Sequence, residues 1–547
     1  LEEIKYKVIN NCSFQSNFCE KYAIFTLNVE AMERGKVGNI SNIDIVKRSP
    51  LFIPTMSYLL GILIGSRYLI DFKYLFNIVV LIIPITFLII RKFYIKRGIL
   101  TEILLPVLLY SSLLFAGWIN VGMSGFLKMI PENSKIASLE LFKTKCKITG
   151  DIVEKVRSIQ AEATLIEYNE KMLLYIDKKI GIGSIGIGDT LECWIKPQKI
   201  ENYPGSGFNY ARFMAKKGIY CTSYIKSKDL IIKKLRTPTF RERIILIREW
   251  YIKSIVKDNK SQESAILVSL TIGDKSHLNR EIKEAFSKAG TMHLMAVSGL
   301  HVSFIYAFVS VLFSFFGKGR KGRIMKFIIL SFFIWGYTAL VGFSPSITRA
   351  SIMATVFELS LITERSSNSL NALSLSALII ATINPQALFE LGFQLSFSAI
   401  LSIIFIYPSL NKMMVSGHWL LKYIWNILSM SIACQIGTSL ITIYNFKVLP
   451  LYFLFTNVIA IPLCGIILYI AIIHAFAMSV GFHEDFIMKI LQILIKFLGW
   501  IMNRVESLPH ATIKCSLNDL ESGLVLFFLV VIFFYMPGIL QKSEDQV

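Results

Sequence analysis

Two histidines, His293 and His301, stand in the apolar run TMHLMAVSGLHVSF at residues 291–304, with Ser298 and Gly299 between them. Histidines in such a run can ligate a metal, move a proton or bond packed helices together. On one continuous helix their eight-residue spacing would set the rings about 80° apart, so both would point broadly one way. Ser298 and Gly299 would let another backbone come close. The seven histidines form no His-x-His-x-Asp and no His-Glu-x-x-His pattern, so no metal site is expected. Two readings stay open. One is hydrogen bonding between helices; the other is a polar path through the membrane, because ionisable residues at that depth face cavities.

The same habit recurs downstream. GFSPSITRAS (342–351) sets Ser346 and Arg349 at the start of an apolar stretch, and Glu358 follows as a candidate ion-pair partner for Arg349. NPQALFELGFQLSFSA (384–399) carries Glu390, Gln394 and Ser396. CQIGTSL contributes Gln435, and FTNVIAIPL contributes Asn457 with Pro462. Polar groups that return beside Gly and Pro interruptions fit irregular backbone around a water-filled route.

Elements that could position these residues follow from composition. The 547 residues are 54% hydrophobic and include 40 Phe, with a mean hydropathy of +0.56. A soluble chain of this size could not hide so much apolar surface, so the expected class is a polytopic α-helical membrane protein. Runs approaching the roughly 20 residues that cross a bilayer lie near 52–70, 74–90, 100–119, 294–316, 326–343, 370–384, 451–480 and 522–540. Less uniform candidates lie near 346–363, 388–407, 424–444 and 487–505. About ten to twelve spans, some broken, are expected.

The net charge is +21. It fits the cytoplasmic-loop bias and attraction to anionic lipid, and equally a polyanionic cargo. Three basic clusters flank the spans: Lys47 and Arg48 before the first, Arg91, Lys92, Lys96 and Arg97 between the second and third, and Lys318, Arg320, Lys321 and Arg323 after the fourth. If all three are cytoplasmic, residues 120–290 are extracytoplasmic. The expected organisation is a tail over 1–47, partly upstream sequence because Met32 opens a basic flank, then three spans over 48–119. An extracytoplasmic β domain over 120–236 and amphipathic interfacial helices over 237–290 follow. A polytopic core over 291–540 and a tail over 541–547 complete it.

Residues 140–235 read as strands. Alternation in DTLECWIK (189–196) has the period of a half-buried strand, and 146–153, 162–168, 171–177 and 218–225 are similar. Short strands with Gly and Asn turns predict a small barrel, for which an OB-like fold is one solution. GIGSIG (181–186) matches the nucleotide-binding Gly-x-Gly-x-x-Gly. It lacks the strand-to-helix context that motif needs and predicts a turn between strands. Trp194, Tyr220 and Tyr224, with Lys196 and Lys226, are candidates for stacking bases and holding phosphates; the same mixture suits a bilayer interface. Among eight cysteines, Cys146 and Cys193 could pair in an oxidising compartment, although Cys221 leaves other pairings open. Cys12 and Cys19 lack zinc-site spacing. TFRERIILIREWYIKSIVK (239–257) is too charged to span and reads as a helix lying on the bilayer.

Taken together, MHLMAVSGLHV (292–302) resembles the hallmark of the ComEC competence family, membrane channels through which bacteria take up transforming DNA. SLTIGDKSHL (269–278), GFSPSITRASIM (342–353), NPQALFELGFQLSF (384–397) and FTNVIAIP (455–462) resemble further family blocks in order. YPGSGFNYARFMAKKGIY (203–220) resembles the end of the family's OB-like domain, with Asn209 where Asp is usual. The resemblance implies a bacterial cytoplasmic-membrane channel for single-stranded DNA, needing no cofactor and making no bonds. It also implies as partners membrane lipid, a DNA receptor and a cytoplasmic helicase or recombination ATPase, since no Walker loop is present; a homo-oligomer is allowed. Many members carry a C-terminal metallo-β-lactamase-like domain. Its motif does not follow here, so a short form served by a separate nuclease is the expectation. The competing expectations are a transporter of another anionic polymer or lipid-linked glycan, and a membrane-embedded metallohydrolase.

Overall fold

The computed structural model describes residues 45–46, 49–67, 99–123, 136, 139–155, 157–180, 185–202, 210–211, 214, 218–226, 230–233, 239–256, 261–316, 319–362, 369–414, 418–481 and 485–515. The candidate spans at 74–90 and 522–540, the C-terminal tail, the N-terminal tail apart from residues 45–46, the two N-terminal basic clusters, Lys318, Cys12, Cys19, residues 181–184 and residues 203–209 lie outside them. The chain divides into two compact units, one of Gly125–Ser254 and one of Leu1–Ser124 with Ile255–Val547.

The smaller unit is a seven-stranded sheet. Its strands are β1 (Phe142–Glu154), β2 (Ser158–Leu165), β3 (Glu170–Asp177), β4 (Thr190–Ile195), β5 (Gln198–Lys199), β6 (Ile219–Ile225) and β7 (Leu230–Lys233), in the order β5-β6-β3-β2-β1-β4-β7. Every pairing is antiparallel except β3 with β6. Alternation sends Cys146 and Ile148, Ile159 to Leu165, Met172 to Ile176, Leu191 to Ile195, Cys221 and Ile225 into one shared core. A register shift between Ile148 and Ile152 bends β1. The sheet curls far enough for the Lys196 amide, just past β4, to donate to Ser223 Oγ on β6 at 3.0 Å. The result is a small, partly closed barrel. Five strands fall on the five stretches whose alternation announced them; β5 and β7, two and four residues long, are too short to register a period. Asp189 Oδ2 accepts from the Gly186 amide at 2.7 Å and β4 opens at Thr190, so the glycine run leads into a strand and not into a helix.

Helix α3 (Phe240–Val256) begins in this unit. Ile245 packs on the barrel core, and Lys147 Nζ meets Glu242 Oε1 at 2.6 Å. Burial works against the charge of Glu242, yet Lys147 and the Thr239 amide and hydroxyl together hold its carboxyl below the usual range. Phe240, Leu246, Ile247 and Trp250 stay exposed.

The larger unit contains α1 (Phe52–Arg67), α2 (Ile99–Met123), α4 (Gln262–Ile272), α5 (Arg280–Lys288), α6 (Met292–Met295), α7 (Gly299–Leu312), α8 (Arg320–Leu340), α9 (Pro345–Ile362), α10 (Ser369–Ile383), α11 (Leu391–Lys412), α12 (Trp419–Phe446), α13 (Phe453–Ser479) and α14 (Asp485–Glu506). A short ribbon pairs β8 (Val448–Pro450) with β9 (Thr512–Lys514). Among the described residues, six helices are long and apolar enough to cross a membrane: α2, α8, α11, α12, α13 and α14. Helices α4, α7 and α10 are apolar but shorter.

The N-terminal helices belong to this same body. Gly61 of α1 lies against the Leu114 backbone of α2 and Gly117 against Tyr58, contacts too close for a larger residue. Asn120 of α2 donates to Tyr58 Oη at 2.8 Å and to the Ala381 carbonyl at the end of α10 at 3.2 Å.

Two expectations are corrected. Ser264–Ile272 are all buried, so α4 is a core helix and not part of an interfacial stretch over 237–290. Its sequence AILVSLTI is apolar around the whole circumference, which suits burial and not an interface. The second correction is at 294–316, where no continuous span forms. Ala296 is extended and so is Ser298, at φ −128° and ψ −179°. The chain therefore breaks between α6 and α7, and His293 and His301 sit on separate helices.

Candidate functional site

The break creates a helix N-terminus inside the larger unit, and His301 secures it. The Ser298 amide donates to His301 Nδ1 at 3.2 Å, with Ser298 Oγ 3.3 Å from the same nitrogen. The other side of the ring bonds the Leu270 backbone at the end of α4. An acceptor Nδ1 leaves the proton on Nε2, so the ring is a fully used, buried brace between α4 and α7. His293 is exposed instead, its Nδ1 3.2 Å from the Gly290 carbonyl. Among the described residues no three His, Cys, Asp or Glu side chains gather as a metal site would need.

A second N-terminus forms where a short 3₁₀ turn, Pro385–Phe389, gives way to α11. Asn384 Oδ1 accepts from the Gln386 amide at 3.1 Å and fixes that turn. Both helix starts flank the second turn of α9. A side chain at Gly299, the first residue of α7, would touch Ala350 Cβ at 3.6 Å. A side chain at Gly392, the second residue of α11, would meet Arg349 Nη2 at 2.8 Å. The guanidinium thus lies over the α11 backbone at Gly392, and a larger residue there would make it shift.

Arg349 is 6% exposed. Its Nη1 stands 3.9 Å from Glu390 Oε2, a charge contact too long for a hydrogen bond, and its Nε has no partner. Glu390, one residue before α11, makes no capping bond with its side chain. Gln394 Nε2 donates to the Leu388 carbonyl at 3.2 Å, and Gln394 is exposed. Ser298, Gly299, Ser346, Arg349, Glu390 and Gln394 therefore lie on or beside two helix starts and the opening turns of α9.

Other candidates fall elsewhere. Glu358 does not pair with Arg349, because nine residues along a helix is about half a turn around it. It instead accepts from the Tyr306 hydroxyl of α7, both groups buried. Asn457 donates to Ser431 Oγ between α13 and α12 at 3.3 Å. Gln435 and Ser396 are half-buried on α12 and α11. In the barrel, Trp194 is 45% and Tyr224 57% exposed, Lys196 and Lys226 are exposed, and Tyr220 packs partly on the core. Cys146 and Cys193 face each other with Sγ atoms 3.9 Å apart as free thiols. That contact and burial push the Cys146 thiol well up. Sequence reasoning missed the role of Gly392; its signal was a glycine directly after the Glu-Leu that begins a long apolar run.

The Competence protein family matches residues 270–541, a stretch that holds α7, α9 and α11. ComE operon protein 3 of Bacillus subtilis (strain 168) is 24% identical over 382 residues, covering 69% of this chain and 46% of that protein. An uncharacterized protein of Aquifex aeolicus (strain VF5) is 30% identical over 156 residues, 28% of this chain and 35% of its own length. The uncharacterized protein YcaI of Escherichia coli (strain K12) is 24% identical over 212 residues, 37% of this chain and 27% of its own. The chain thus spans less than half the length of these curated relatives. No solved structure matches it.

Proposed function

Because residues 270–541 belong to the Competence protein family and the chain is a multi-pass membrane protein, we propose that it forms a route for single-stranded DNA across the cytoplasmic membrane. The observation that carries this reading is the N-terminus of α11 laid against the buried cation Arg349 of α9, with the start of α7 beside the next residue of α9, Ala350. Broken helices expose their positive ends inside a membrane protein where an anion must be met at depth. A polynucleotide brings one negative charge per phosphate.

In this reading residues 140–254, the barrel with most of α3, are extracytoplasmic and the barrel serves as an OB-like receiver. Trp194 and Tyr224 stack bases, with Lys196 and Lys226 holding phosphates nearby. The strand then passes the polar group of Ser298, Arg349, Glu390 and Gln394. The exposed Phe240, Leu246, Ile247 and Trp250 of α3 rest in the headgroup layer. Movement is driven by a cytoplasmic helicase or recombination ATPase, and a separate receptor delivers the DNA.

The test is binding and transport together. Full-length protein in lipid nanodiscs is titrated with single-stranded oligonucleotides over a salt series, and DNA uptake is counted in cells lacking the gene. Binding that weakens steeply with salt and loss of uptake are expected. Tight binding of an anionic glycan with no binding of DNA at low salt would replace DNA as the cargo.

A further inference from the structure

The first amides of a helix have no acceptor inside it and must find one elsewhere. At the start of α11, the Phe393 and Gln394 amides turn back to the Glu390 carbonyl. The Leu391 and Gly392 amides have no partner among the described residues, and Gly392 is exposed. The Arg349 guanidinium lies against that same residue. It is buried, and its Nε has no acceptor, although arginine carries five donors. Two free amides, the positive end of a 22-residue helix and an under-used guanidinium therefore converge on one spot. Glu390, the carboxylate that pairs with Arg349 among the described residues, approaches at 3.9 Å without bonding and is 32% exposed at its side chain, free to turn outward.

We propose that the N-terminus of α11 and Arg349 form a binding site for a single phosphodiester group, which displaces Glu390 as the counter-charge of Arg349. This rests on the DNA reading above and adds a place where the strand's backbone is held. A phosphodiester carries two free oxygens and one negative charge. One oxygen takes the Leu391 and Gly392 amides, as at other helix-start anion sites, and the other takes the guanidinium edge. Glu390 keeps the cation compensated when no phosphate is present. It also makes the hold reversible, which a strand moving in steps requires.

The experiment reads occupancy at the site itself. The full chain carrying Gln394→p-benzoylphenylalanine, in nanodiscs of zwitterionic lipid, is photo-crosslinked to increasing amounts of a dT oligonucleotide. Total binding is followed in parallel by fluorescence anisotropy. Glu390→Gln is expected to lower the half-saturating concentration by threefold or more, since it removes the competing charge. Arg349→Gln is expected to raise it about tenfold, the worth of one hydrogen-bonded charge contact. A dT strand with a neutral methylphosphonate backbone is expected to erase both differences.

Binding by anisotropy with no crosslink, or with neither variant shifted, overturns the site while leaving the DNA reading intact. Loss of both shifts when phosphatidylglycerol is added to the nanodiscs assigns the site to a lipid headgroup and overturns the proposal. Absence of any oligonucleotide binding overturns the DNA reading itself. Because Glu390→Gln keeps the shape of the side chain, a folding failure of the Arg349 variant does not remove the test.

Discussion

Carboxylates and cations meet differently in the two units. On the barrel, Glu192 lies between Lys233 at 2.7 Å and Lys145 at 3.8 Å, with both lysines in water. In the helical unit, Arg349 is buried and its carboxylate stands off at 3.9 Å. The exposed cations are closely paired, and the buried one is under-paired. Stability alone favours the opposite arrangement, because a buried cation without good hydrogen bonds is costly and an exposed pair adds little. An under-satisfied buried cation is therefore the better sign of a group kept for something that arrives.

The largest expected effect sharpens that contrast. Arg349→Ala should cut DNA uptake by at least about tenfold while the protein persists in the membrane, because Glu390 is half-exposed and can hydrate once released. Uptake frequency scored against immunoblotted protein checks it. A loss of protein in step with uptake would make Arg349 a structural cation like any other.

Glu358, on the same helix, provides the counter-case. Its carboxyl is buried and receives the Tyr306 hydroxyl, so its partner is already in the fold. Tyr306→Phe strands a buried acceptor and should cost about 1–3 kcal/mol of stability, with uptake reduced only as far as folded protein is lost. Thermal unfolding in detergent measures the first part. Equal stability in the variant would show that water or another donor already serves Glu358.

How much of this was legible follows the same division. The barrel's five longer strands were legible because most of their residues alternate between core and outer face, although β1 bends and β3 also buries Leu173 on its second face. Apolar runs marked the helices for an equally simple reason. The breaks were harder. TMHLMAVSGLHVSF reads as one span, since neither Ala296 nor Ser298 forbids a helix; the local cap from His301 to Ser298 uses a residue type that gives no cap signal, and the His301–Leu270 bond that supports it is tertiary. Arg349, Glu390 and Gln394 were visible as polar residues in apolar surroundings. Their convergence was not, because the Arg349–Glu390 contact depends on how α9 and α11 pack, and the nearer acid in sequence, Glu358, faces the other way.

The cysteine pair carries the comparison into the barrel's interior. Contact with Cys193 and burial both hold the Cys146 thiol protonated at neutral pH and well above it, and a protonated thiol is a poor nucleophile. Cys146 should therefore resist iodoacetamide at pH 8 in the native protein and react after unfolding. Peptide mass spectrometry without and with prior reduction separates this shielding from a Cys146–Cys193 disulfide, which would block alkylation even in the unfolded chain until it is reduced. Rapid native labelling would mean that the two strands open at β1 and β4.

The smallest effect belongs to Glu192. Its bond from Lys233 holds the carboxyl below its ordinary value against the opposing effect of burial, with lesser pulls from Lys145 and Lys143. A carboxyl depressed on folding stabilises above its unfolded-state pKa, and that contribution fades as pH falls through the lower folded value. Stability of the barrel should thus dip slightly in acid, and Glu192→Gln should flatten the dip by lowering the midpoint at pH 7 by about as much as the dip itself, a small shift. Exposure to solvent and salt screens the pair, so raising ionic strength should mimic the substitution. A large drop at neutral pH would mean that Glu192 does more than sit between lysines, and would erase the distinction between closely paired surface charge and the under-paired cation of the helical core.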